Sequence, residues 1–560
     1  MKIAVGLMEV LPKNIDANLE KILKIIESAK KNNADILILP DSALTGKFLG
    51  RAWEENSFIN EYKIAKAKAV AAAENLIIIS SNYEKVFDGV LKKDLFIVNY
   101  VGHANIKIGF INNDYKITND RAEFFFFLED APFNLKLFHE RKEKFLEIAK
   151  IKNKPVLYVN KISVENEGKN IFAFTGKNCI FTKDGEADFL EISSDNEVAI
   201  FDTEKSLKTN NNETSDIREI YDALYLSAKN FLNTIGLKRV VIGISGGIDS
   251  AVSAALYAKI LPPDDILLVN MPSRFNSDTT KSLAQKLAEN LKTNYAVFPI
   301  EESVQNTIKE ITNTSVKFLK DDNNFNLELS AFDTENIQAR DRGSRILSAL
   351  SSAFSHTKNG EYKPAGFTCN ANKTEATVGY ATLYGDSSGF LAALGDLWKF
   401  QVYELARFLN EEIYNEEVIP EGIINIIPSA ELSENQNVDE GKGDPLYYPY
   451  HDYLFRALVE SDYKITPEEI LIWYKENTLE KHIGCKEGIV KKYFKNNEEF
   501  INDLENWYNR FNGIAVAKRI QSPPIIALSN KPFGSFTETQ CKPFYSSKYF
   551  ELKKELLFKK

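Results

Sequence analysis

The chain has 560 residues, too many for one ordinary hydrophobic core, so two or more domains are expected. Its 44% hydrophobic and 26% charged residues are those of a globular protein and exclude the disordered and fibrous classes. A formal net charge of -10 works against broad docking on nucleic acid or an anionic membrane.

Four cysteines, Cys179, Cys369, Cys485 and Cys541, lie far apart and suggest neither a disulfide framework nor a thiolate zinc site. The start, "MKIAVGLMEV", lacks the pattern of a secretory signal, and no apolar run approaches the ~20 residues of a membrane helix. The expectation is a cytosolic protein in a reducing compartment.

Short apolar runs alternate with amphipathic stretches from the start: "KIAVGLMEV", "NLEKILKIIESAKKN", "ADILILP", "KIAKAKAVAAAENL" and "IIISSNY". Such alternation indicates an α/β layered domain. Strand-like runs follow at "LFIVNYV", "FFFFLED", "PVLYVN" and "NCIFTKDGE". The polar, Asn-rich stretch 205–216 reads as a linker, which divides the chain into 1–204, 205–216 and 217–560. Beyond it, helix, buried strand and helix repeat through "RVVIGI", "DSAVSAALYAKIL", "DDILLVNMPS", "TTKSLAQKLAENL" and "YAVFPIEES", a mostly parallel wound sheet. From Asp444 onward the pattern is helical and aromatic, with no role legible from pattern alone.

The stretch "IGISGGIDSA" places Ser245, Gly246, Gly247, Asp249 and Ser250 between a buried strand and a helix. Free backbone N–H groups and the positive helix end converge there, which suits an anion. The glycines let the backbone approach a phosphate, the Ser245 and Ser250 hydroxyls can donate to it, and Asp249 can hold Mg²⁺. A plain strand-to-helix turn capped by Asp and Ser is the simpler alternative. No lysine follows the glycines, so this is not the GxxxxGK[ST] loop.

The string resembles the pyrophosphate loop of enzymes that split ATP between its α- and β-phosphates. With "NMPSRFNSD", "ENIQARDRG", "ANKTEATVGYATLYGD", "GDLWKFQVYELARFLN", "IIPSAELSENQ" and "KGDPLYYPYHD" in order, residues 217 to about 525 resemble the NAD synthetases in their long, glutamine-dependent form. The resemblance implies a Rossmann-like parallel-sheet ATP-pyrophosphatase (PP-loop) domain that amidates deamido-NAD through an adenylated intermediate. It further implies Mg²⁺ held by Asp249 and Glu375, Lys399 meeting the phosphates in the transition state, and Arg274 and Ser429 contacting ATP. Asn336, Arg340 and Asp386 would hold deamido-NAD. Taken singly, Glu375 and Asp386 read as solvated loop acids, Arg340 as a surface ion pair and Lys399 as a helix-start lysine. Ala371 and Trp398 stand where the family has Gly and Pro, and Trp398 is expected to reshape the wall beside Lys399.

Residues 1–204 resemble the nitrilase-like glutaminase of the same enzymes, a shortened αββα sandwich. Those domains use a Glu base, an oxyanion lysine and a Cys nucleophile. Asp41 stands at the Glu position and Lys116 is matched to the lysine. "RAEFFFFLEDAPFNLKLFHERKEKF" runs on without the cysteine, as if a strand and its catalytic turn were deleted. Cys179 reads as a packing thiol, and nothing around Ser42 marks it as a substitute nucleophile. The expected nitrogen donor is therefore free ammonia or ammonia from a separate partner, with residual glutamine use as the alternative. The first domain is expected to bury synthetase surface or support a homo-oligomer. Against a tRNA-modifying enzyme stand the missing paired cysteines and basic face. Against a non-catalytic dinucleotide-binding scaffold stand Asp249, Glu375 and Lys399. Nicotinic acid mononucleotide remains open as acceptor.

Overall fold

Alternation along "FFFFL" sets the layers of the first unit. In the computed structural model, which describes residues 1–85, 91–98, 107–190, 198–202, 214–320, 323–461, 465–534, 538 and 542–558, this run is a strand with two differently covered faces. Phe124, Phe126 and Leu128 join Ile36, Ile38, Ile77 and Ile79 in one core, whereas Phe125 and Phe127 meet Phe145 and Ala149 of a helix. The period of two makes a single strand serve both layers.

The chain runs β1 (Lys2–Gly6), α1 (Ile15–Lys31), β2 (Ile36–Asp41), α2 (Asn56–Ala73), β3 (Ile77–Lys85), β4 (Leu91–Val98), β5 (Ile108–Phe110), β6 (Phe124–Leu128) and α3 (Leu135–Lys152). It continues through β7 (Val156–Val159), β8 (Ile162–Glu167), β9 (Asn170–Thr175), β10 (Cys179–Phe181), β11 (Ala187–Phe189) and β12 (Val198–Asp202). Two five-stranded sheets, β12-β1-β2-β3-β4 and β11-β10-β7-β6-β5, face each other through the isoleucine and phenylalanine core. Helices α1 and α2 cover the first sheet through Ile22, Ile25 and Tyr62 packed on Leu37, Leu39 and Ile78. Helix α3 covers the second, which completes the expected αββα sandwich.

β5 runs parallel to β6, Ile108 opposite Phe124, and ends in the turn Asn112–Tyr115. Residues 107–130, which hold β5, this turn and β6, contain no cysteine.

The second unit is built on α4 (Asp216–Ile235), β13 (Arg239–Gly243), α5 (Ile248–Ile260), β14 (Ile266–Asn270), α6 (Asp278–Leu291), β15 (Asn294–Val297) and α7 (Glu301–Asn313). After the hairpin β16 (Ser315–Phe318) and β17 (Asn323–Asn326) come α8 (Ala331–Arg340), α9 (Ser348–Phe354) and β18 (Ala365–Phe367). The strands β15-β14-β13-β18 form one parallel sheet, with Val240 opposite Ile266 and Val241 opposite Phe367. Val240, Val241 and Ile242 are fully buried, as parallel strands covered on both faces require. Helices α10 (Lys373–Val378), α11 (Lys399–Phe408), α12 (Glu421–Asn425) and α13 (Tyr448–Glu460) follow. The aromatic tail that the sequence left without a role is a helical layer whose core, with Tyr450, Phe455, Phe500, Trp507 and Tyr549, also contains Val378 and Trp398. It thereby fixes α10 and α11, the helices that carry Glu375 and Lys399.

The chain divides into two compact units inside α4: Met1–Glu167 with Ile171–Ser227, and Gly168–Asn170 with Ala228–Lys560. The start of α4 belongs with the first unit because Lys177 pairs with Glu219 and Asp222, and His139 contacts Asp216. Of the expected linker 205–216, residues 205–213 lie outside the described residues. Among the described residues no helix is long and apolar enough to cross a membrane.

Candidate active site

The loop between β13 and α5 follows from its glycines. Gly246 has φ +86, a left-handed conformation that a side chain resists, and a methyl built there would overlap the Thr280 carbonyl oxygen. Gly247 is the N-cap of α5. The Ser250 hydroxyl turns back to donate to the Gly247 carbonyl (2.9 Å), and it accepts from the Ser245 N–H (3.3 Å). Ser250 thus fastens the loop, while Ser245, Gly246, Gly247 and Asp249 line a cavity of about 170 Å³ in front of it.

A larger cavity of about 240 Å³ adjoins it, and Ser245, Glu375, Asp386 and Ala430 belong to both linings. Its wall comes partly from a π-helical turn, Asp341–Leu347, between α8 and α9. The wide turn presents Arg342 and Gly343 to the cavity, a common use of π-bulges. Arg342 Nε donates to the Met271 carbonyl (3.1 Å) and Nη2 to Asn276 Oδ1 (3.2 Å), and burial lowers its pKa to about 10.

At the junction three charged groups converge. Lys399, the first residue of α11, is buried and donates through Nζ to Asp249 Oδ2 (2.5 Å) and Glu375 Oε1 (3.2 Å). Asn372 Nδ2 donates to the other Asp249 oxygen (2.9 Å), and its Oδ1 caps α10 at the Glu375 N–H (3.1 Å). Tyr448 Oη lies 3.3 Å from Glu375 Oε1 and 3.0 Å from Asp444 Oδ2. Burial pushes the Glu375 carboxyl up to about 7, opposed by Lys399 and reinforced by Asp249 and Asp444. The lysine is itself raised: burial works against its charge, but Asp249 and Glu375 outweigh it.

Two carboxylates that share one cation beside a phosphate-sized cavity are a donor set that Mg²⁺ takes together with phosphate oxygens, so these residues fit that ion. Among the described residues no cluster of three or more His, Cys, Asp or Glu could hold a metal alone.

The other expected residues divide. Ser429 and Asp386 line the phosphate cavity. Asn336 and Arg340 stand outside both linings, where Thr382 Oγ1 donates to Asn336 Oδ1 (2.8 Å) and Arg340 Nε donates to the Leu383 carbonyl (3.3 Å). Both hold the turn from which Thr382 N–H reaches Asp386 Oδ1 (2.6 Å). Arg274 also lies outside the linings, pairing with Glu301 (3.6 Å) over the Phe275 ring. The expected effect of Trp398 on the wall beside Lys399 is not seen: its indole lies in the helical core and donates to Glu460 (3.0 Å). Ala371 has negative φ, so its methyl brings no strain. Arg342, Asn372, Asp444 and Tyr448 were missed, although "ENIQARDRG" and "KGDPLYYPYHD" carry three of them.

Behind the junction, Asp452 accepts from Thr374 Oγ1 and the Phe400 N–H, and burial raises its carboxyl to about 6. That lies above the ordinary value of about 4, so its contribution to stability is full in acid and is lost as pH rises through about 6. The Tm advantage of wild type over Asp452→Asn is expected to shrink between pH 4 and 6.5. A constant difference across that range would exclude this linkage.

In the first unit, Asp41 is buried and accepts from Ser42 (3.0 Å) and Ser81 (2.5 Å). Lys116 does not join it: its side chain is 79% exposed on the surface turn, 3.8 Å from Asp114. Lys161 is buried instead, 2.8 Å from Glu165, with both side chains fully buried. Burial would raise Glu165, but Lys161 and the N–H groups of Phe48 and Lys47 hold it below the usual range. Cys179 is packed beneath α3, and burial raises its thiol pKa.

The sheet, the glycine loop and the convergent acids and lysine define a PP-loop α/β nucleotide-binding domain, preceded by a nitrilase-like sandwich. Residues 220–496 match the family model described as NAD synthase, and the second unit is a member of that family. The chain is 27% identical over 499 residues to the glutamine-dependent NAD(+) synthetase of Acinetobacter baylyi, covering 80% of this chain and 86% of that protein. It is 31% identical over 350 residues to the Synechocystis protein of the same name, covering 61% and 57%. The crystal structure of the Cytophaga hutchinsonii glutamine-dependent NAD(+) synthetase superposes with a TM-score of 0.70 at 16% identity over 99% of both chains, which shows the common fold.

Proposed function

We propose that the second unit amidates deamido-NAD with ATP, releasing AMP and pyrophosphate, in the cytosol and as part of a homo-oligomer. The convergence of Asp249, Glu375 and Lys399 at the junction of the two cavities carries this reading. In the first half-reaction a nicotinate carboxylate oxygen attacks the α-phosphorus, and the bond to the bridging oxygen breaks as pyrophosphate leaves. In the second, ammonia attacks the carboxyl carbon of the mixed anhydride, AMP departs and one proton passes to solvent.

The loop N–H groups and the positive end of α5 hold the phosphates, and Lys399 supplies charge where the oxygens become more negative. Ser429 closes on the phosphates from the opposite wall. Mg²⁺, when bound, neutralises phosphate charge, and Asp249 and Glu375 are the residues that would hold it. Asp386, common to both linings, is the proposed deamido-NAD contact, with Asn336 and Arg340 acting through its turn, and Arg274 is the residue proposed to help seat ATP.

We assign the nitrogen to ammonia, free or delivered by a partner. The single cysteine of residues 1–204, Cys179, is a packing thiol, and the two hydroxyls on Asp41, those of Ser42 and Ser81, belong to buried residues, which supports this reading.

The test is NAD formation from deamido-NAD, ATP and Mg²⁺ with ammonium and glutamine at equal concentration, alongside nicotinic acid mononucleotide as acceptor. Ammonium is expected to support turnover, with glutamine about 100-fold or more slower, the scale of a misplaced catalytic group. Equal rates would restore a working glutaminase; no product with either donor would remove deamido-NAD as substrate.

A further inference from the structure

We propose that Glu431 is a positioning residue for ATP, an inference that rests on the reading above. Glu431 is buried and sits at φ +46, a conformation that few residues other than Gly, Asn and Asp adopt at low cost. Its carboxylate is the hub that holds it there. It accepts from Thr280 Oγ1 (2.7 Å), the Ser277 N–H (3.1 Å) and Asn276 Nδ2 (3.2 Å), all at the start of α6.

Each of these contacts leads to the nucleotide site. The Thr280 carbonyl lies against Gly246, so fixing Thr280 fixes the phosphate loop from behind. Asn276 accepts from Arg342 in the larger cavity, so the same carboxylate orders that wall. On its own stretch of chain, the Glu431 N–H donates to Ser429 Oγ (3.2 Å), and Ser429 and Ala430 line the same cavity as the loop. One buried charge with three donors therefore sets the width of the phosphate cavity without touching ATP. Charge-assisted bonds to a buried carboxylate are strong enough for that task.

Calorimetric titration with ATP and Mg²⁺, together with steady-state kinetics, tests this in wild type, Glu431→Ala and Glu431→Gln. For Glu431→Ala the ATP Kd and KM are expected to rise about 10- to 100-fold, with the KM for deamido-NAD unchanged. Glu431→Gln keeps an acceptor for Thr280 but presents N–H to the Ser277 N–H, so an intermediate loss is expected and a folded variant is secured. A folded Glu431→Gln and Glu431→Ala with wild-type ATP affinity would overturn the inference, as would an equal rise in both KM values, the mark of general loosening. Wild type that binds no ATP would overturn the proposed function first.

Discussion

Lys399→Met is expected to lower kcat and kcat/KM for ATP together by about 10²- to 10³-fold, the cost of removing one preorganised charge from a transition state. Nζ stands 2.5 Å from Asp249 and 3.2 Å from Glu375 at the cavity junction, so its charge is aimed where phosphate oxygens gain charge as pyrophosphate departs. In the proposed reaction ground-state ATP is held by the loop N–H groups and the start of α5, so the ATP Kd is expected to stay within a few fold. The two carboxylates lose their cation in the variant. A stability loss of about 1.5–3 kcal/mol follows in the metal-free protein, the scale of a hydrogen bond to a charged group. Mg²⁺ is expected to recover part of it, because it fits the same two acids. Single-turnover measurement of AMP formation separates chemistry from product release. Wild-type rates in a folded Lys399→Met would take the lysine out of the mechanism.

Gly246→Ala is expected to cost the second unit both stability and ATP, whereas Gly247→Ala leaves stability nearly intact. At Gly246 the left-handed φ costs an L-residue about 1–2 kcal/mol, and the methyl overlaps the Thr280 carbonyl, a backbone group that cannot rotate away. Overpacking of this kind typically adds about 1–3 kcal/mol. At Gly247 φ is −94 and the nearest atom to a methyl is Ser245 Oγ at 3.3 Å, a side-chain atom that need give only slightly while it keeps its bond from the Gly247 N–H. Both glycines line the phosphate cavity, so both variants are expected to weaken ATP, and thermal unfolding tells them apart. Equal Tm values for the two would show that Thr280 yields, and would weaken the coupling assigned to Glu431 as well.

Sequence by itself determined what depends on neighbours along the chain. Ser245 to Ser250 form a strand-to-helix loop because glycine spacing, a buried apolar strand and a helix start are local properties, and they reappear in place. The alternating runs likewise fixed both sandwich sheets, since a period of two assigns each residue to a face before any partner is known. Glu375, Lys399, Ser429 and Asp386, singled out by their order along the chain, line one cavity with the glycine loop.

Tertiary structure alone decided the rest. Whether an arginine faces a cavity depends on helix phase, and the π-turn after Arg340 shifts that phase so that Arg342 faces inward while Arg340 and Asn336 brace a turn. Lys116 lay at a plausible spacing, yet a short β5 ends in a surface turn and carries it into solvent, whereas Asp41 is buried. Trp398, beside Lys399 in the chain, points the opposite way because Lys399 opens a helix and its predecessor packs into the helical layer. Tyr448 and Glu431 meet their partners across 70 or more residues, through contacts that no local pattern encodes: Tyr448 with Glu375, and Glu431 with Thr280. Local propensity places the loop and its strand, and only packing of distant side chains gives the site its charge balance and its width.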